Sequence, residues 1–356
     1  MNPNLRQLRD LGQSLWLDNI TRELLDSGKF AHYLDAYGLT GLTSNPTIFD
    51  EAIGGGDAYD IGIRDKHARG LDSEAIFLEL ALEDLRRAAK LFLPAHRASD
   101  GVDGWVSMEL SPLLASDTGS SIEAAARIHR QGACENLYIK IPGTPEGVPA
   151  IEESIFNGVP INVTLLFSAE QYQAVADAYM RGIERRIHAG RDPVVASVAS
   201  LFVSRWDKAV AERAPAELRN RLGIAIAQRT YRAYREMLAS ERWGRLSQAG
   251  ARPQRLLWAS TGTKDPSAPD TLYVTALAAP DTIDTIPEKT LAAFADHGKV
   301  QGVMDEQGGD CESVLAQFAR AGIDTGALAV QLQQDGAKAF VKSWRELMQR
   351  IENKAK

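Results

Sequence analysis

Cysteine is nearly absent from this chain, with two in 356 residues. Cys134 and Cys311 lie far apart and form neither a CxxC pair nor a Cys/His spacing. That argues against a structural zinc site and for a reducing compartment. Long apolar runs are absent too: none approaches the ~18 residues of a membrane span. The opening MNPNLRQLRDLGQ lacks the apolar core of a signal peptide. No GxGxxG follows a strand pattern and no GxxxxGK[ST] occurs, which weakens dinucleotide and P-loop readings. Positive charge is not in excess. Lys and Arg number 40 against 47 Asp and Glu, for a net charge of −7, which argues against a nucleic-acid surface. Small anionic substrates can still bind where cations gather locally. Internal repeats, low-complexity tracts and linkers are missing as well, so one domain spanning 1–356 is expected. Cytoplasmic residence is expected with it.

What is present centres on residues 137–144, LYIKIPGT. Leu137, Ile139 and Ile141 alternate with Tyr138 and Lys140, the period of a strand. Pro142–Gly143 then turns the chain, leaving Lys140 close to the strand's C-terminal end. An ammonium set between two isoleucines loses solvation, which favours the neutral amine. A neutral amine is a nucleophile for carbonyl carbon. The competing reading is an edge-strand lysine whose head reaches water, the commoner fate of lysine.

Seven more short apolar segments share this character: 14–18, 39–44, 105–110, 160–166, 193–200, 255–260 and 282–286. The last has the weakest pattern, and TLYVTALA before it reads as either a short helix or a strand. Amphipathic stretches separate them. Residues 19–37 form a helical pattern closed by Gly38, and a glycine-rich loop leads to a strong helix over 73–95. Helices are also expected over 117–132, 145–156, from Ser168, within 206–240, and from Pro287 onward. Short apolar strands alternating with helices indicate a parallel sheet covered by helices. Eight such units without a cofactor fingerprint favour a closed (β/α)8 TIM barrel. Residues 300–356 are then a helical C-terminal extension.

In such a barrel the chemistry gathers at the C-terminal ends of the strands. Polar residues recur there: Asp18, then Thr43, Ser44 and Asn45, then Glu109, Lys140, Asn162 with Thr164, Ser200, and Ser260. Each has a plainer reading. Asp18 could cap the next helix, Asn45 before Pro46 suits a turn, and Thr164 suits a strand through its β-branching. Arg205 and Asp207 could form a surface ion pair, and Lys264 could be a loop lysine. Seven strand ends in register with one lysine outweigh these alternatives taken together.

LTGLTSNPTIF (39–49) and LYIKIPGT resemble the two signatures of the transaldolase family. The likeness continues through INVTLLFS, SLFVSRWD and LWASTGTKDP, in order, over residues 10–300, and the length resembles the longer bacterial branch. The resemblance implies a class I mechanism that transfers a dihydroxyacetone unit between ketose and aldose phosphates in the non-oxidative pentose phosphate pathway. It implies Lys140 as the Schiff-base nucleophile and Asp18 as the base on the C4 hydroxyl. Glu109 and Thr164 would hold a proton-shuttling water. Asn45, Asn162 and Ser200 would bind hydroxyls of the retained fragment, and Arg205, Ser260 and Lys264 the phosphate. Sugar phosphates are the implied partners, with no metal, cofactor, nucleic acid or membrane, in a monomer or homodimer. A protonated imine is itself the electron sink, which suits the missing metal-ligand cluster.

Two rivals remain at this level. An aldolase resembling fructose 6-phosphate aldolase releases free dihydroxyacetone. Those relatives are shorter and carry tyrosine where this chain has Phe202, so length and Phe202 favour the transferase. A catalytically silent sugar-phosphate-binding barrel could dispense with Lys140, Asp18 or Glu109, and this chain keeps all three.

Overall fold

The computed structural model describes residues 1–356. Eight parallel strands alternate with helices: β1 (Ser14–Leu17), β2 (Gly41–Leu42), β3 (Val106–Glu109), β4 (Leu137–Pro142), β5 (Ile161–Leu166), β6 (Ser197–Phe202), β7 (Arg255–Ala259) and β8 (Ile283–Ile286). The hydrogen-bonded order is β2-β1-β8-β7-β6-β5-β4-β3. A parallel bridge between Gly41 and Trp105 joins the two ends, with Leu42 N donating to Trp105 O at 2.9 Å. The fold is a TIM barrel.

Its strands are buried on both faces, as a sheet lined by helices requires. Residues such as Ile139, Ile141, Val163 and Leu201 pack against the helix ring, and the helices answer with apolar stripes. The helix Ser73–Ala98 starts at Asp72, whose carboxylate accepts from Ala75 N, and it buries Ile76, Leu80, Leu85 and Ala89 at helical spacing.

Inside the barrel, the N-terminal end is filled. Trp16, Trp105 and Tyr138 lie on the inward faces of their strands, with Trp105 stacked on Tyr138 at 4.1 Å and Trp16 tilted 6.0 Å from it. A side chain at Gly41 would put its Cβ 2.4 Å from the Trp16 ring, so only glycine fits there. Below them, Arg255 donates to Ser14 Oγ at 2.8 Å and to Asp103 Oδ1 at 3.2 Å, closing the floor.

Several boundaries differ from the sequence reading. The helical pattern over 19–37 is two helices, Arg22–Asp26 and Lys29–Tyr37, parted at Gly28 with φ 75°. Strand β2 keeps two residues of the six expected, because Asn45 begins the helix Pro46–Gly54 at once. The glycine-rich loop, IGGGDAYD (53–60), is irregular over 55–59 as expected, but it is flanked by two helices not expected from the sequence, Pro46–Gly54 and Asp60–Ala68. Strand β6 starts at Ser197, not at 193, and runs on to Phe202, so Ser200 lies inside it. TLYVTALA contains a helix, Leu272–Ala276.

The C-terminal helix (Thr325–Ala355) spans the barrel mouth. Its later half is anchored on the β2 side. Trp344 meets Phe77 edge-on at 5.2 Å, Arg350 pairs with Asp50 at 2.7 Å, and Leu347 and Ile351 are fully buried. Its earlier half lies over the ends of β4, β5 and β6, where Gly336 packs against Leu165 and Arg205.

Candidate active site

Strand register assembles the centre of the site. Glu109 is level with Lys140 and Lys140 with Asn162, so three adjacent strands present one row of polar side chains inward. Lys140 is buried, and its Nζ donates to Glu109 Oε2 at 3.0 Å and to Ser44 O at 3.1 Å. The surroundings expected from the sequence need correction here. Ile139 and Ile141 point outward to the helices, and the amine's neighbours are polar. Glu109 is paired with the amine, with 6% exposure on both side chains.

Burial pushes the Glu109 carboxyl above its ordinary pKa, more than the Lys140 charge beside it pulls it down. Asp18 follows β1 and is half-buried, and burial raises its pKa as well, opposed by the Thr43 hydrogen bond and the charge of Lys140. Asp18 is not a helix cap, since Thr21 caps the next helix. Thr43 donates to Asp18 Oδ1 at 2.8 Å and lies 2.7 Å from Thr285 Oγ1. Thr43 has one hydroxyl proton and gives it to Asp18, so Thr285 is the donor in the second contact. A two-hydroxyl chain from β8 therefore orients the carboxylate.

Asn162, level with Lys140, is bonded on both sides. Asn162 Nδ2 donates to Ser107 Oγ at 3.1 Å, and Ser200 Oγ donates to Asn162 Oδ1 at 2.7 Å. Thr164 is fully buried and its hydroxyl has no protein partner. It stands before Leu165, a residue with φ 59° at a register shift in β5. Asn45 does cap a helix, with Oδ1 accepting from Ile48 N at 3.0 Å, which leaves its amide protons available to the mouth.

Arg205 is half-buried and pairs with no carboxylate. Its guanidinium lies over the Phe202 ring at 5.0 Å, with Phe340 of the C-terminal helix 5.9 Å away. Burial lowers its pKa, against the opposing pull of Glu109 and Asp18, whose charges it feels across the mouth. The surface ion pair with Asp207 does not form. Asp207 is buried and accepts from Leu222 N, Gly223 N and the Tyr273 hydroxyl. Ser260, at φ 58° after β7, shares a 2.8 Å hydroxyl contact with Ser204. Lys264 is exposed on the following loop, close enough for its charge to act on Asp18.

All ten expected residues thus lie at or beside the C-terminal mouth. Sequence reasoning passed over Ser107, Thr285, Gln333 and Phe340. Thr285 lay in the weakest strand pattern, and the two residues of the last helix carried no local signal. A parallel barrel whose mouth sets a buried lysine against a carboxylate, with a second carboxylate facing them, defines a class I aldolase-type enzyme.

Comparison with known proteins narrows that class. The transaldolase/fructose-6-phosphate aldolase family model matches residues 15–351. A transaldolase of Thermobifida fusca is 44% identical over 99% of this chain and 98% of its own length. One from Parafrankia sp. is also 44% identical, over 99% and 98%. One from Mycolicibacterium paratuberculosis is 43% identical over 98% and 96%. The chain belongs to the transaldolase family, and its activity is that of a transaldolase of the pentose phosphate pathway.

Proposed function

We propose that the enzyme moves dihydroxyacetone from sedoheptulose 7-phosphate to glyceraldehyde 3-phosphate, giving erythrose 4-phosphate and fructose 6-phosphate, through a Schiff base on Lys140. The observation that carries this is the 3.0 Å contact between Lys140 Nζ and Glu109 Oε2, buried at the barrel mouth. Glu109 accepts a proton from the ammonium, and the free amine attacks C2 of the ketose. The C2 oxygen leaves as water, with Glu109 and the unpartnered Thr164 hydroxyl passing protons through a shared water. Asp18 takes the C4 hydroxyl proton, the C3–C4 bond breaks, and its electron pair enters the iminium. The aldose departs, leaving a three-carbon enamine on Lys140. Its C3 then adds to the acceptor aldehyde, Asp18 returns the proton, and hydrolysis of the imine frees the new ketose.

Asn45, Asn162 and Ser200 hold hydroxyls of the three-carbon unit. Arg205 reads the phosphate, helped by Ser260 and Lys264. A guanidinium without a protein anion, held against an aromatic face, is prepared to take a phosphate bidentately. The chain works as one barrel unit with residues 300–356 as a helical extension, of which the helix Thr325–Ala355 lies across the mouth. We place it in the cytoplasm, in keeping with its two free cysteines; no helix is long and apolar enough to cross a membrane.

Borohydride trapping with fructose 6-phosphate and peptide mass mapping test this reading. A three-carbon adduct on Lys140 is expected. A folded enzyme that yields no adduct, or yields one on another lysine, overturns the roles given to Lys140, Glu109 and Asp18.

A further inference from the structure

We propose that Gln333, on the C-terminal helix, is a positioning residue for Schiff-base formation, because it fixes the exits of the two adjacent strands that carry Lys140 and Thr164. This rests on the roles given above to Lys140 and Thr164. The amide of Gln333 is buried, and its two protons go to two backbone carbonyls: Gly143 O at 3.0 Å and Leu165 O at 2.9 Å. Gly143 directly follows β4, the lysine strand. Leu165 directly follows Thr164. Between them, Gly143 N donates to Thr164 O at 2.8 Å. One side chain therefore ties together the exits of both reacting strands, and Thr164 sits inside the tie.

The tie is needed because β5 is irregular at this point. Leu165 adopts φ 59°, and the pairing of β5 with β6 shifts register between Val163 and Leu166. A left-handed leucine persists only where its surroundings hold it. Without the Gln333 amide, the Leu165 carbonyl has no partner in a buried place, and relaxation of Leu165 turns Thr164 with it. Nothing else fixes the Thr164 hydroxyl, which has no protein partner of its own. The helix also sits at its closest approach. A Cβ at Gly336 would lie 2.9 Å from Leu165 Cδ2 and 3.3 Å from Arg205 Nη1.

The test is the rate of borohydride trapping of free dihydroxyacetone, which carries no phosphate and so does not engage Arg205. Gln333→Met keeps length and helix propensity but offers no donor. Trapping is expected to slow about 10²-fold, the scale of a 1 Å misplacement of a reacting group. The final amount trapped per folded enzyme should be unchanged. An unchanged rate overturns the proposal, and so does a reduced amount at an unchanged rate, since that marks a purely structural role. Should that variant not fold, Gly336→Ala sets a methyl 2.9 Å from Leu165 Cδ2 and so strains the helix away from the strand exits that Gln333 ties. Slower trapping is expected there too, and an unchanged rate overturns the proposal. Wild-type enzyme that is not labelled on Lys140 would instead sink the Schiff-base reading itself.

Discussion

Asp284 makes the stability of this barrel depend steeply on pH. It lies in β8, level with Leu15 and Trp258, on the face turned to the helices. The side chain is fully buried, and neither carboxyl oxygen has a hydrogen-bond partner. Burial pushes its pKa up to about 8 from the usual 3.8, against a weaker pull from Thr261. The Thr261 hydroxyl itself donates to Thr285 O. Between pH 4.5 and 7.5 the unfolded chain therefore carries Asp284 ionised while the folded chain carries it protonated. Folding takes up one proton, so stability falls as pH rises, by about 1.4 kcal/mol per pH unit. Across that window the loss is about 4 kcal/mol, a large share of the ~5–15 kcal/mol that usually separates folded from unfolded chains. The slope disappears above pH 8, where the folded group ionises as well.

Asp284→Asn keeps the shape and removes the proton. In urea unfolding at a series of pH values, the stability of the variant minus that of wild type should grow by about 4 kcal/mol from pH 4.5 to 7.5. Both proteins share every other titrating group, Asp18 and Glu109 included, so the difference isolates Asp284. Parallel curves would show that the carboxyl is ionised in the folded protein and would refute the argument.

Arg205→Ala should raise KM for phosphorylated sugars by at least about tenfold, because it removes the proposed charge-assisted phosphate contact, and trapping of free dihydroxyacetone should not follow it; steady-state kinetics with both substrates will show whether it does. Phe202→Tyr should raise the release of free dihydroxyacetone in the absence of acceptor, since a hydroxyl then stands where the buried ring faces the intermediate; an enzymatic assay for dihydroxyacetone decides. Glu109→Gln should slow turnover about 10²–10⁴-fold through loss of proton transfer, measured as kcat. For wild type, the acid limb of kcat/KM should lie above the ordinary carboxylate range, because the base role proposed for Asp18 needs it ionised and burial raises its pKa; a limb near pH 4 would contradict that.

The barrel was legible because its strands are short, apolar on the outward face and separated by helices of strong periodicity. The site was legible for a related reason: in a parallel barrel the residue before a strand's exit is also the residue at the mouth. Lys140 and Glu109 were each placed by alternation alone, but their pairing depends on β3–β4 register, which no local pattern contains. The helices after Asn45 were hidden by their glycines, although Asn45–Pro46 is a sound helix start. Strand β6 was misplaced because PVVA has strand composition while its backbone precedes the ladder. Gln333 and Phe340 acquire meaning only once the last helix is laid across the mouth, a long-range event 190 residues from Gly143 in the case of Gln333.

The filled floor of the barrel has a kinetic consequence. With Trp16, Trp105 and Tyr138 packed across the interior and Arg255 bonded beneath them, the reaction chamber has a single doorway. Donor, departing aldose and incoming aldose must use it in turn, and the covalently held three-carbon unit occupies the chamber between visits. The enzyme cannot hold both aldoses at once, so double-reciprocal plots at several fixed acceptor concentrations should be parallel lines.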